Sequence, residues 1–263
     1  RNQGFDISAT VTALRGKNGF LNVSASILTN KNKILKITDE LRDYNEQQAQ
    51  IAAREYNSTP VNQYEEGLPM NGIFAVPSLG IDPQTGVEVY RKKNGQITTT
   101  WNTNDRIFCG NTDPEYNGVL GLYGEYKGIG LSVSMTFLGG CYYYNKTLVD
   151  RVEDADLSYN VDRRVFSGRW QTPGQVAQYK KFSYTASQDE EGNGTYVKTQ
   201  ATSRFVQKRN EMELSSISAY YEFPQKLIRP LRLQRLRLSA YMNNVATFSS
   251  IKVERGLSLI HIS

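Results

Sequence analysis

The feature that most constrains this chain is a strand-like alternation between Ile129 and Phe137. The odd positions of this segment are Ile, Leu, Val, Met and Phe, whereas the even positions are Gly, Ser, Ser and Thr. A period of two predicts a β-strand with one apolar face, and about ten such residues are enough for a tilted strand to cross the hydrocarbon layer of a bilayer. Residues 118–126 form a second predicted strand, joined to the first by a turn at Lys127-Gly128.

The same alternation recurs in other segments. Apolar residues occupy every second position in 5–13, in 21–27 and in 236–242, and the positions between them are mostly polar, many of them Ser or Thr. In 212–223 the apolar positions change parity, which predicts a bulge near Ser215. Periodicity alone leaves two architectures open. In a membrane β-barrel the apolar face points outward to lipid, and in a soluble β-sandwich it is buried against a second sheet.

The connections between the predicted strands favour the barrel. Short turns that alternate with long loops are typical of an outer-membrane barrel, whose periplasmic turns are short and whose external loops are long. Compact soluble domains rarely contain long connections without regular structure. The short connections are 15–19, 82–86 and 127–128, and the long ones are 31–68, 92–117 and 139–210.

The first long connection is predicted to contain one helix. Thr38 can cap it, and Asp39 and Glu40 suit the first turn, where the helix dipole favours negative charge. Residues at helical spacing form one face, which comprises Leu41, Tyr44, Gln48, Ile51 and Ala52.

Composition excludes several classes of protein. The 263 residues are 39% hydrophobic with a mean hydropathy of −0.52, and no apolar run approaches the 18 residues of a membrane-spanning helix. The net charge of +5 comes from 31 basic residues scattered among 26 acidic ones, and no run of Lys or Arg is longer than the three residues 91–93. Such dispersed charge predicts solvated loops and strand ends rather than a nucleic-acid surface.

Six groups of motifs, found in one order along the chain, carry a family resemblance. They are Ala75-Val76 with residues 80–86; residues 110–114 with 126–128; residues 144–152; Arg169-Trp170 with Pro173-Gly174; residues 201–206; and residues 236–238 with 243–245 and 250–256.

In this combination the chain resembles the SusC/RagA-type TonB-linked outer-membrane transporters. The resemblance implies a plugged barrel of ~22 strands, of which this chain would supply about eight. It also implies an outer-membrane location in a Gram-negative bacterium, contact with outer-membrane lipid, and energy drawn from a TonB complex. A SusD-like lipoprotein is the implied partner, acting as an external lid.

The resemblance covers residues 4–256, and we interpret residues 1–256 as the C-terminal part of a TonB-dependent receptor β-barrel. The plug and the TonB-binding segment of this family lie N-terminal to such a region, so we interpret the sequence as a fragment. Residues 257–263 depart from the family pattern and are interpreted as an atypical, truncated tail. The predicted fold class is all-β and antiparallel: an open part of a transmembrane β-barrel with long extracellular loops and one short loop helix.

The sequence gives no support for an enzyme or a cofactor. The single histidine, His261, lies in the atypical tail, so a catalytic triad is not available. One histidine and two distant cysteines are too few for the usual metal-ligand sets, and no metal site is predicted.

Aromatic residues in the long loops are the candidate substrate contacts. Tyr and Trp rings can stack on a sugar or a peptide, although they can equally pack a loop against its neighbours or meet the lid protein. The substrate class, glycan or peptide, stays open. The candidates are Trp101, Tyr142, Tyr143, Tyr159 and Trp170.

Cys109 and Cys141 leave two alternatives open. Folding the strands about Lys127-Gly128 places residues whose numbers sum to about 255 opposite one another, so both cysteines fall at the external end. A disulfide is permitted in an oxidising compartment but requires Cα atoms within ~7 Å. The other alternative is two free cysteines in separate loops.

The leading hypothesis is active import of nutrient oligomers across the outer membrane. A passive or structural outer-membrane barrel and a secreted carbohydrate-binding β-sandwich are the alternatives. If Lys127-Gly128 is a periplasmic turn, the three long connections lie outside the cell, and a tag at Gly192 is labelled on intact cells whereas a tag at Lys127 is not.

Overall fold

The chain folds around one large antiparallel sheet with the long connections gathered at one end. A computed structural model describes residues 1–54, 57–158, 160–182, 186–188, 194–196 and 198–251. The strands in chain order are β1 (Asn2–Gly16), β2 (Gly19–Asn32), β3 (Gly72–Ala75), β4 (Ser78–Ile81), β5 (Glu88–Arg91), β6 (Ile97–Thr98), β7 (Ile107–Asn111), β8 (Tyr116–Tyr126), β9 (Ile129–Tyr144), β10 (Ala186–Gln188), β11 (Gly194–Tyr196), β12 (Val206–Glu222) and β13 (Arg237–Ser249).

The helices are short apart from the first. Within the described residues none is long and apolar enough to cross a bilayer. They are α1 (Asp39–Ala52), α2 (Lys146–Leu148), α3 (Arg164–Ser167) and α4 (Gln225–Ile228), with 3-10 turns at Thr103–Asp105, Ser203–Phe205 and Arg229–Leu231 and a π turn at Val149–Glu153.

The large sheet contains six strands in the order β1-β2-β8-β9-β12-β13, each antiparallel to its neighbours. The predicted hairpin is confirmed: Tyr126 pairs with Ile129 and Gly118 with Phe137. Lys127 and Gly128 close it with φ angles of 49° and 83°, the left-handed values that a tight two-residue turn requires. The predicted bulge is also confirmed, because the register of β12 shifts between Leu214 and Ser216.

One face of this sheet is apolar across all six strands. The register places the apolar positions of neighbouring strands side by side, as in the row Val11, Val23, Leu122, Val133, Ile217 and Met242. Within the described residues no second layer covers this face. Large side chains on it remain well exposed: Phe5, Ile7, Val11, Leu14, Leu131, Met212, Leu238, Met242 and Phe248.

The opposite face is polar and built from small side chains. A typical row runs Thr10, Ser24, Gly121, Ser134, Ser216 and Asn243. The two faces therefore follow directly from the period-two alternation of the sequence.

The strand count and the loop boundaries differ from the predictions. Six strands, rather than about eight, form the large sheet. The predicted short connection 82–86 joins β4 to β5, four-residue strands of a separate three-stranded sheet. Such strands are too short to cross a bilayer, which takes about nine to eleven residues. The predicted loops 31–68 and 92–117 are therefore parts of one connection, residues 33–115, and the next long connection is 145–205.

The predicted loop helix is confirmed as α1. Thr38 occupies the N-cap position with extended backbone, and its carbonyl accepts the first helical hydrogen bond from the Arg42 amide. Its side chain makes no capping hydrogen bond. Asp39 and Glu40 lie in the first turn, as predicted.

The edges of the large sheet are β1 and β13. Each pairs with one neighbour only, β2 and β12 respectively, in the described part of the chain. Unpaired strand edges present rows of free backbone donors and acceptors, so these two strands are the places where another strand can add.

Candidate functional site

The long connections form a packed unit at one end of the sheet, which we call the loop cap (described residues of 33–115 and 145–205). A buried cluster joins the two connections, because Ile73 from the first packs with Val149, Ala201 and Phe205 from the second and with Tyr144 of β9. A second cluster, Val152, Val165 and Tyr179, lies within the second connection. Most buried apolar side chains of the described residues therefore lie in the loop cap or at the end of β9 next to it.

A buried ion triad crosses the loop cap. Arg204 Nη2 lies 2.9 Å from Glu88 Oε2 and 2.7 Å from Glu153 Oε1, and both carboxylate side chains are almost fully buried. Burial disfavours the charge on Arg204, but the two carboxylates more than offset this and raise the pKa of its guanidinium. Since Glu88 and Glu153 belong to different connections, the triad ties the two together.

Arg169 organises the second connection. It is buried and donates hydrogen bonds to four carbonyl oxygens, and its guanidinium lies 3.9 Å from the centre of the Phe182 ring. Burial lowers the pKa of Arg169, against the attraction of nearby Glu153. A planar guanidinium has five N–H donors and can satisfy four carbonyls at once, whereas a lysine ammonium has only three donors. The acceptors are the carbonyls of Val152, Glu153, Val165 and Lys180.

Trp170, a predicted substrate contact, is part of this packing. Its indole nitrogen donates to the Pro83 carbonyl at 2.8 Å. Its ring covers Gly86, where an added Cβ would lie 2.4 Å from the ring. Because Gly86 has a φ of 69°, glycine suits both the backbone and the close approach. The turn 82–86 and the Arg169-Trp170 motif therefore pack directly against each other.

Trp101 and Tyr142 are brought to the junction of the two connections. The Trp101 indole nitrogen donates to the Ala201 carbonyl at 3.1 Å, and the half-buried Tyr142 packs on the cluster that contains Ala201. The Tyr142 ring also lies over Gly110, where an added Cβ would meet it at 2.3 Å. Trp101 is thus held through its indole nitrogen, and Tyr142 through contacts of its ring.

The other two predicted contacts lie elsewhere. Tyr143 is half-buried on β9, where it is opposite Gln207 of β12. Tyr159 lies outside the described residues. Substrate contact by any of the five aromatic residues stays a prediction.

Cys109 and Cys141 are both free thiols in the structure, and the disulfide stays a prediction. Cys109 lies on β7, which pairs with β3 of the loop cap, and its thiol faces the carbonyls of Ala75 and Ile107. Cys141 lies on β9 and its thiol donates to the Arg209 carbonyl of β12. Each thiol thus has its own backbone acceptors.

The polar face of the sheet carries a hydrogen-bonded cluster that the sequence analysis missed. Tyr220 donates to Glu125 at 2.6 Å, and its hydroxyl lies 3.3 Å from that of Tyr123. Arg237 stacks 4.0 Å from the centre of the Tyr220 ring and pairs with Glu222. All five residues occupy positions that the strand alternation assigns to the polar face, so this alternation is the signal by which the sequence could have revealed the cluster. On this polar face the cluster presents hydroxyl groups and charged groups with which a solute could form hydrogen bonds.

No metal centre is evident among these groups. Across the described ranges, no set of three or more His, Cys, Asp or Glu side chains is arranged to hold a metal ion.

Comparison with known proteins gives structural matches only. No family model and no curated protein matches the sequence. The chain is similar to the structure of the RagAB peptide transporter, with a TM-score of 0.70, 16% identity and coverage of 95% of this chain and 26% of that chain. It is also similar to the RagAB peptide importer in the "open-open" state, with a TM-score of 0.69, 16% identity and coverage of 94% and 25%.

These matches confirm the family resemblance at the level of the fold. The chain spans about a quarter of the length of the solved structures that it matches. Almost the whole of this chain therefore corresponds to a minor part of a much larger transporter chain.

Proposed function

We propose that this chain forms part of the membrane-spanning wall, and part of the outer loops, of a transporter in the outer membrane of a Gram-negative bacterium. The observation that carries the proposal is the exposed apolar face shared by six strands of 11 to 17 residues, backed by a polar face. The secreted β-sandwich would need that apolar face covered, and no described residue covers it.

The physical argument concerns the hydration of the two faces. In water, the apolar face would be a patch far larger than monomeric soluble proteins expose. In a bilayer, the same face contacts lipid tails, and the Ser, Thr, Asn and Tyr residues of the other face line a wet interior. Tyr126 and Tyr221 lie at the turn end of the apolar face, where aromatic rings suit the interface between lipid and water.

The loop cap supports an outward orientation of the long connections. Its buried triad and two apolar clusters give it a core of its own, so it can hold its shape in water without lipid contact. The other end of the sheet has two two-residue turns, 17–18 and 127–128, and the fourteen-residue connection 223–236, all far shorter than the connections of the loop cap, as at a periplasmic rim. We therefore assign the loop cap to the cell exterior.

For the cargo we propose nutrient oligomers, with peptides ahead of glycans because the similar structures are peptide transporters. Trp101, Tyr142 and Trp170 are the proposed contacts, each through the ring surface that the loop cap leaves open, together with Tyr143 and Tyr159. A SusD-like lipoprotein over the loop cap and a TonB complex acting through a region N-terminal to this chain complete the proposal.

Accessibility on intact cells tests the orientation. An epitope tag is placed at Asn94, an exposed loop-cap turn, or at Lys127 in the β8–β9 turn of the complete transporter. The Asn94 tag is expected to bind antibody on intact cells, whereas the Lys127 tag is expected to bind only after the outer membrane is opened. Reversed labelling would contradict the topology.

Uptake tests the transport role. Cells that express the complete transporter are expected to take up labelled peptides, and deletion of the loop-cap turn 92–96 is expected to leave the barrel inserted. Passive uptake that persists after loss of the energy supply would instead favour the passive-barrel alternative.

A further inference from the structure

The connection between β12 and β13 has a three-residue repeat of basic residues. Lys226, Arg229, Arg232 and Arg235 follow one another at intervals of three. The first part is helical, with α4 running directly into the 3-10 turn Arg229–Leu231. In helical turns, residues three apart are neighbours on one side, so the first cations of the repeat form a row.

Three cations of this row have no counter-charge. Lys226, Arg229 and Arg232 are exposed, and none forms an ion pair or a side-chain hydrogen bond within the described part of the chain. Arg235 differs, because it lies 2.8 Å from Glu222.

The neighbouring turns add to the positive charge. The Glu222 amide donates to the Gly128 carbonyl, and the Lys127 amide donates to the Asn18 carbonyl, so the three short connections adjoin one another. Their exposed basic residues include Arg15, Lys17 and Lys127. The acidic residues at this end, Glu125 and Glu222, are already bonded to Tyr220 and to two arginines.

Leucines alternate with these cations. Leu227 is 60% exposed, Leu233 42% and Leu236 37%. Leu236 has the same parity as Leu238, which lies on the apolar face, so Leu236 extends that face beyond the strand end. Ile228 is buried and its carbonyl accepts from the Leu233 amide, a hydrogen bond that folds the segment back on itself.

We propose that residues 224–236, the basic hairpin, bind anionic phospholipid headgroups at the turn-side surface of the membrane. This inference rests on the proposed membrane-wall function. The leucines enter the boundary of the acyl chains, while the long Lys and Arg side chains extend to the phosphates. An open row of cations suits a charged surface, whereas a single free anion would need an enclosing pocket.

Lipid retention by the full chain tests this. The detergent-solubilised chain is titrated with phosphatidylglycerol or with zwitterionic phosphatidylcholine, and native mass spectrometry counts the lipids retained. We expect a preference for phosphatidylglycerol of about tenfold, weakening at high salt. The triple variant K226Q/R229Q/R232Q is expected to lose it. The matched control K31Q/K36Q/K93Q, which removes the same charge from three exposed lysines at the opposite end, is expected to keep it.

Three outcomes would overturn the inference. They are an unchanged preference in the triple variant, an equal loss in the control, and equal displacement of the lipid by polyglutamate, which would indicate a general polyanion surface. A second variant, L227S/L233S, is expected to weaken the binding of both lipids to the same extent. Circular dichroism verifies that each variant keeps its strand content.

Vesicle flotation separates this inference from the proposed function. A chain that floats equally with phosphatidylcholine vesicles and with mixed phosphatidylglycerol vesicles contradicts the headgroup inference alone. A chain that floats with neither contradicts the membrane wall itself.

Discussion

At the scale of single residues, Gly86 leaves the least room for change. Gly86→Ala would force a Cβ to 2.4 Å from the Trp170 ring at a φ of 69°. We expect the free energy of unfolding of the loop cap to fall by about 2–4 kcal/mol, because backbone strain and overpacking act together. The matched control is Gly95→Ala, where φ is 87° and nothing lies within 4 Å, so strain acts alone and the loss is expected to be about 1–2 kcal/mol. Urea unfolding followed by tryptophan fluorescence measures both, and equal losses would contradict the packing of Trp170 on Gly86.

Arg204 is the second residue with a large expected effect. Arg204→Met leaves Glu88 and Glu153 buried together without the cation that bonds to both, and we expect a loss of about 3–5 kcal/mol in loop-cap stability at neutral pH. Arg42→Met, which removes an exposed ion pair with Asp39, is expected to change stability by less than about 0.5 kcal/mol.

The Arg204→Met variant also predicts a pH dependence. Burial already raises the pKa of Glu153, and loss of the neighbouring cation raises it further. A carboxyl group whose pKa is higher in the folded state than in the unfolded state destabilises the fold as pH rises. The deficit is therefore expected to shrink when the pH is lowered towards about 4–5. A deficit that stays constant or grows on acidification, in urea titrations at several pH values, would contradict the buried triad.

At the scale of elements, the β8–β9 hairpin depends on its two-residue turn. Lys127 has a φ of 49°, a conformation that Asn adopts more readily than Lys, so Lys127→Asn is expected to stabilise the hairpin by up to about 1 kcal/mol. Gly128→Ala is expected to destabilise the hairpin, because φ is 83° and the new Cβ would lie 2.7 Å from the Glu222 carbonyl oxygen. Refolding yield into detergent micelles compares the two variants, and a gain for Gly128→Ala would contradict the observed turn.

At the scale of the whole molecule, the 263 residues on their own are expected to need detergent. The exposed apolar face favours association between chains, and so do the edge strands β1 and β13, each of which pairs with one neighbour. Light scattering after size exclusion is expected to show aggregates in plain buffer and a defined species in detergent. A monodisperse, cooperatively melting monomer in plain buffer would contradict the membrane wall and revive the soluble sandwich.

The sequence by itself determined the long strands, their two faces, the β8–β9 register and the bulge near Ser215, because each depends on a local alternation or a local turn. It could not show that the 82–86 turn belongs to the loop cap, since four-residue strands carry too little alternation to identify their partners. The triad joins Glu88 to Arg204, 116 positions apart, and the contact of Gly86 with Trp170 also joins residues that are distant in sequence. Such pairs are selected by packing and charge in three dimensions, so only the tertiary structure revealed that the motifs at 80–86, 144–152, 169–170 and 201–206 meet in the loop cap.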